Sequence, residues 1–185
     1  MEKNKTGKYF KYAIGEITLV IIGILFALSI NNWNESRKDK NYLNKIFTSI
    51  ENELKESSID IKRVIPMQLA SVDTIEVYMD NEKITLYDIL LRTNGIQSPS
   101  IKTNSWNAIA NSKIELIEYD KLSALTDIEE GKKNLTQRVE KQIEYVFQNF
   151  EKNEKNKKIV LKMMILDIVY AEKELESKIE KLIRN

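Results

Sequence analysis

Cysteine and histidine are both absent from this 185-residue chain. Their absence removes disulfides, zinc sites of the usual Cys/His kind, thiol nucleophiles and imidazole acid–base chemistry together. Proline occurs twice and glycine five times, which leaves long stretches without a helix breaker and predicts an all-α protein. An excess of one charge sign is lacking too. The 29 Lys and Arg balance 28 Asp and Glu to a net +1, and no basic cluster is interleaved with aromatic residues, so nucleic acid is not an expected partner. A Gly-x-Ser-x-Gly elbow, a Glu-x-x-His pair and the glycines of a phosphate loop are all missing, which leaves only an unusual Ser/Lys or carboxylate mechanism to a hidden enzyme. The expectation is a protein without catalytic, cofactor-binding or metal-ligating residues.

What the chain does have is one long apolar run from Ala13 to Ile30. At about 1.5 Å per residue the run covers roughly 27 Å, close to the hydrocarbon thickness of a bilayer, and in lipid only a helix satisfies its own backbone. Lys3, Lys5, Lys8 and Lys11 precede it with Glu2 alone opposing them, a local charge of +3, while everything after Tyr12 sums to −2. The positive-inside rule therefore places the short N-terminus in the cytoplasm, although Arg37, Lys38 and Lys40 beyond the run reduce the bias. Lys8, Tyr9, Lys11 and Tyr12 at one edge and Trp33 at the other are the expected interface anchors, since amphipathic rings favour the headgroup layer. The division expected is a cytoplasmic tail over 1–12, a membrane helix over 13–30 and an extracytoplasmic helical domain over 31–185. A cleavable signal peptide is the rival reading, because Ala27-Leu28-Ser29 resembles a cleavage site. The run is longer than a signal-peptide core of about 7 to 15 residues and continues into helix-favouring sequence, which fits an uncleaved signal anchor better.

Inside the run, Glu16 is the polar residue that asks for a reason. At about 100° per residue, Gly23 and Ala27 fall about 20° to either side of it. Glu16, Gly23 and Ala27 thus form a candidate contact face, with a small-x-x-x-small pair that permits close helix approach and a carboxylate able to bond across it. Small residues are common in spans, and a Glu one turn in also reaches the headgroups unaided.

Beyond the run there is no helix breaker until Pro66, so the membrane helix is expected to continue as a long stalk. Its apolar seam steps through residues 43, 47, 50, 54, 57, 61 and 64 at spacings of four and three. A kink is expected at Pro66, then a resumption through Leu69, Val72, Ile75 and Met79 and a break at Asp80-Asn81. Thr85 and Asp88 suggest a capping box for a short helix through Arg92, with Gly95 beyond its end. Residues 93–104 read as loop, Thr103-Asn104-Ser105 as an N-cap before a helix carrying Trp106, and Asp120 as the cap of a further helix. Two longer helices close the chain. The first presents Leu122, Leu125, Leu135, Val139, Ile143, Val146 and Phe150, and the second Leu161, Ile165, Ile168, Leu175, Ile179 and Leu182. The polar run from Glu151 to Lys158 between them reads as a solvated turn. Packing of the stalk with these two helices into an antiparallel bundle is the simplest way to cover every stripe. Glu51, Glu53 and Glu56, and likewise Glu172, Glu174 and Glu176, read as solvated helix faces. Trp106 reads as a core anchor of the domain rather than a ligand platform.

The stretch Tyr12-Ala13-Ile14-Gly15-Glu16-Ile17, with Ile22-Gly23-Ile24, Ala27-Leu28 and Ile30-Asn31-Asn32-Trp33-Asn34-Glu35, resembles the opening of an uncharacterised family of short single-pass membrane proteins from Bacteroidetes-type bacteria, a domain of unknown function. The likeness is strong over about the first 35 residues; Thr103, Trp106, Leu116-Ile117 and Leu122 are similar to the family's looser central pattern. Ser29 departs from the Gln that follows Ala-Leu in many members. The resemblance implies a bacterial inner-membrane protein with its domain in the periplasm, and transfers no catalytic residue. The function expected is that of a membrane-anchored helical interaction or scaffold module with no enzymatic activity. Its expected partners are the lipid bilayer and either further copies of itself or another membrane protein. A ligand-sensing subunit acting through a membrane partner is the alternative, and an envelope enzyme a more distant one.

Overall fold

The computed structural model describes residues 5–184, and for 5–8 it describes the backbone only. Lys3 and Glu2, and the side chains of Lys5 and Lys8, lie outside the described residues. Among the described residues five α-helices follow one another: α1 (Lys5–Val77), α2 (Leu86–Arg92), α3 (Asn104–Ala110), α4 (Tyr119–Gln148) and α5 (Lys155–Arg184), with a 3-10 turn at Ile114–Leu116. Among the described residues there is no strand. The chain divides between Lys45 and Ile46 into two units.

The first unit is the N-terminal part of α1. Every residue from Tyr9 to Lys38 is exposed, including the whole apolar run. One helix is thus long and apolar enough to cross a membrane, and none of its most apolar stretch is buried in the protein. Within it, the Thr18 hydroxyl donates to the Ile14 carbonyl at 2.8 Å, absorbing its own polarity.

The second unit is built around α4 and α5 and the part of α1 from Ile46 onward. Ile50, Leu54, Ile61, Val64, Val72 and Ile75 of α1 are buried, the four-and-three spacing that puts one stripe of a helix inward. Contacts between α1 and α5 descend on one helix as they ascend on the other. Lys62 pairs with Glu176 at 3.2 Å and Glu180 at 2.7 Å, Gln68 bonds Glu172 at 2.8 Å, Glu76 pairs with Lys162, and just past the end of α1 Asp80 pairs with Lys155 at 2.7 Å. The two segments therefore run in opposite directions. The same holds for α4 and α5, where Arg138 meets Asp167 and the Tyr145 hydroxyl donates to the Lys157 carbonyl at 3.0 Å. Close approach of these two helices uses Gly131, where a Cβ would lie 2.9 Å from Leu175 Cδ1.

The segment between α2 and α3 straps down α1. Ser100 N–H donates to Asp60 at 2.7 Å, Lys102 N–H to the Ser57 hydroxyl at 2.9 Å, and Ser105 N–H to Glu53 at 3.1 Å. Short polar residues on α1 thereby satisfy backbone groups that no regular element pairs. Asn94 and Gly95 adopt positive φ, 57° and 81°, to turn the chain into this strap.

Several elements fall where the sequence puts them. Thr85 and Asp88 form the reciprocal capping box, with Asp88 N–H to the Thr85 hydroxyl at 3.2 Å and Thr85 N–H to Asp88 at 2.9 Å. Others differ. Helix α1 continues through Pro66 to Val77, so proline's lost donor is tolerated inside a helix held by packing on one face. Leu69 is exposed while its neighbour Gln68 is buried, because the inward stripe passes through 65, 68, 72 and 75. Ile143 is likewise exposed beside buried Gln142. Helix α4 starts at Tyr119 with Glu118 as N-cap, two residues before the expected Asp120, which instead lies in the first turn where its charge suits the helix dipole. Thr103 precedes α3 without a side-chain cap bond; its hydroxyl accepts from Lys132 at 2.7 Å instead.

Candidate functional site

The residues singled out in the apolar run all sit on α1 in the first unit. Glu16, Gly23 and Ala27 are exposed, and a Cβ at Gly23 would meet nothing within 4 Å, so the face is open to a neighbour. Tyr9, Lys11 and Tyr12 are exposed at one edge and Trp33, 65% exposed, at the other. The Arg37 guanidinium lies 5.8 Å from the Trp33 ring centroid, a cation–π contact that tethers one basic residue beside the indole.

Trp106 belongs to the second unit and is 6% exposed. It shares its surroundings with Ile50, Leu54, Leu125 and Ile128, and the space among them has no room for a water. An open trough of ≈840 Å³ runs beside it, lined by Glu129, Lys133, Gln137 and Glu140 of α4. Apart from Trp106 the lining comes from α4 alone, so the trough lacks the polar groups brought together from several elements that mark a ligand site.

Acidic residues expected to face solvent take three different paths. Glu51 pairs with Lys55 at 2.5 Å, and Glu56 with Lys102. Glu53 instead clamps Ser105 through both its backbone N–H and its hydroxyl. Glu172 departs furthest from a solvated face, for it is fully buried. One of its oxygens accepts from the Gln68 side-chain amide, which also donates to the Gln97 carbonyl at 3.0 Å. Its other oxygen, and the Gln68 oxygen, have no hydrogen-bond partner. Burial pushes the Glu172 carboxyl up to about 7, and the Gln68 amide offsets only part of that rise. A water-sized cavity of ≈20 Å³ lies beside Gln68, Ser71 and Gln142. This layer can hold or release one proton near neutral pH.

A second buried charge stands at the other end of α5. Lys158, placed by sequence in a solvated turn, is fully buried. Its ammonium donates to the Tyr78 carbonyl at 3.0 Å and the Asn81 carbonyl at 2.7 Å, in the turn just past α1, where each carbonyl also accepts a backbone N–H. Around it, Leu86 N–H and Tyr87 N–H at the start of α2 donate to the Lys152 and Phe150 carbonyls at 2.9 and 3.0 Å, and the Tyr87 and Phe150 rings lie 4.5 Å apart. The lysine thus joins the turn after α1 to the first turn of α5. Burial lowers its pKa, against the pull of Asp80 and Glu82. Neither buried charge was legible as such, because each sits in a locally polar sequence; the only signal was its helical phase, since Lys158 and Glu172 fall on the same stripe as Leu161, Ile165 and Ile168.

A model of a family of unknown function (DUF6090) matches residues 16–93, less than half of the chain. The chain thus carries a region similar to a domain of unknown function. That region begins at Glu16, takes in the remainder of α1 and the whole of α2, and stops short of Trp106, α4 and α5. No curated protein and no solved structure matches the chain. The buried Gln68–Glu172 bond therefore joins a residue inside the matched region to one outside it.

Proposed function

We propose that this protein is a single-pass, membrane-anchored helical interaction module without catalytic activity. The observation that carries the reading is α1 itself. No described residue covers its apolar turns, while the same helix goes on to supply one buried face of a separately packed unit. A helix with an all-round apolar surface asks for lipid, and a helix with one apolar stripe asks for protein. The charge bias of the tail and the likeness of the opening to short single-pass proteins of Bacteroidetes-type bacteria support an inner-membrane anchor, with the N-terminus in the cytoplasm and the helical unit in the periplasm. The opposed pairings of α5 with α1 and α4 suit a three-helix antiparallel bundle as the scaffold. Glu16, Gly23 and Ala27 give the span a face for a neighbouring helix.

The ligand-sensing alternative is the weaker one, because the space enclosed beside Gln68 accommodates about one water and the trough beside Trp106 is open. Affinity capture of the tagged chain from mild detergent, followed by mass spectrometry, tests the proposal. Recovery of further copies or of one membrane protein in comparable amount is the expected result; a lone monomer at all detergent concentrations contradicts it.

A further inference from the structure

The outer face of α5 carries an apolar stripe that no described residue covers. Ile159, Met163, Leu166 and Tyr170 are 39%, 63%, 39% and 61% exposed. Their spacings of four, three and four place them within about 60° of one another, directly opposite the buried Leu161, Ile165 and Ile168. The stripe has sharp ends: one heptad step earlier stands Asn156 and one step later Lys173. It is a two-heptad seam about 16 Å long, and heptad seams are the geometry by which helices pack on helices.

The charges beside the seam identify what fits it. With Ile159 and Leu166 at the d positions and Met163 and Tyr170 at the a positions, Lys162 occupies g on one flank and Asp167 occupies e on the other. They are five residues apart, the offset at which g of one helix meets e of its partner in a parallel, in-register pair. An antiparallel pair sets Lys162 against Lys162 and Asp167 against Asp167, which is repulsive. Within the protomer Lys162 already pairs with Glu76 and Asp167 with Arg138. A parallel second copy extends these into alternating rows, Glu76, Lys162, then the neighbour's acid and base.

We propose that the stripe Ile159–Tyr170 is a parallel homodimer seam and that its occupant is the same stripe of a second copy. This rests on the reading of the protein as a membrane-anchored interaction module, and deepens it by naming the surface and the partner. Four side chains bury less than the roughly 1,600 Å² of a standard interface. Anchoring both copies in one bilayer supplies the missing free energy through effective concentration.

The natural absence of cysteine makes the test direct. Ile159→Cys and Tyr170→Cys are made singly in the full-length chain and oxidised in the membrane, with Lys133→Cys on α4 as the off-seam position and Gly23→Cys as the span position. Disulfide-linked dimer at both Ile159→Cys and Tyr170→Cys, with little at Lys133→Cys, is the expected result. An antiparallel contact cannot link both positions to themselves, so a dimer at only one of them overturns the proposal. So does a dimer at Gly23→Cys with none on α5, or another membrane protein recovered with no α5 linkage; either leaves the interaction module standing without this seam. Adding Met163→Lys to Ile159→Cys removes the linked dimer while the thermal melt is retained, since Met163 is exposed and contributes little to the core.

Discussion

Two buried charges on one helix have opposite fates. Lys158 and Glu172 both lie on the inward stripe of α5 with no exposed surface. Lys158 donates to the Tyr78 and Asn81 carbonyls in the turn after α1, each of which also accepts a backbone N–H and offers the ammonium its second lone pair. Glu172 finds one amide donor and leaves an oxygen unpaired. The difference teaches that burial alone does not decide the worth of a charge; what the surroundings have left over does. Lys158 is a tie between segments, and Glu172 is a standing cost.

That contrast is broken or sharpened by three substitutions. Lys158→Met keeps the apolar stem and removes both charge-assisted bonds to the Tyr78 and Asn81 carbonyls; at roughly 1.5 kcal/mol for each such bond, about 3 kcal/mol of stability is lost, seen as a lower midpoint in urea unfolding of the solubilised chain. Glu172→Gln works the other way and depends on pH. A carboxyl raised from 4.5 to about 7 on folding contributes stability that is fully present below pH 4.5 and lost as pH rises through 7. The wild-type chain therefore weakens between those values by up to about 3 kcal/mol, at 1.36 kcal/mol per pKa unit. The Gln variant should lack this slope and exceed the wild type most above pH 7.5, roughly half a unit past the folded pKa; equal slopes for both proteins sink the assignment. Thr85→Ala removes the hydroxyl of the capping box at the start of α2, beside the Lys158 junction, and costs about 1 kcal/mol. An unchanged melt for that variant shows that the junction does not depend on α2.

The same contrast marks how far the sequence could be read. The inward stripes of α1, α4 and α5, the capping box of α2 and the helical class all follow from spacing and from the scarcity of glycine and proline, because those are local properties. Gln68, Gln142, Lys158 and Glu172 were not legible as core residues, since a polar side chain is accepted inside only when a partner comes from elsewhere in the chain, 104 residues away for Gln68 and Glu172. Leu69 and Ile143 erred in the complementary direction. An apolar residue next to a stripe looks like part of it until the helical phase is fixed by the partner helix. The exposed seam on α5 was hidden for the same reason, its residues being interleaved with the core positions of an apolar helix.

The first unit differs from the second in what its apolar residues meet. In the second the inward stripes meet one another; in the first no described residue covers them. Cysteine labelling in cells with a permeabilised outer membrane tests the central claim that lipid covers them. A membrane-impermeant maleimide is applied to the full-length chain carrying either Thr6→Cys or Lys178→Cys. The account predicts that Lys178→Cys is labelled at once and Thr6→Cys only after the inner membrane is opened. Labelling of both before opening, with the chain released into the soluble fraction, contradicts it.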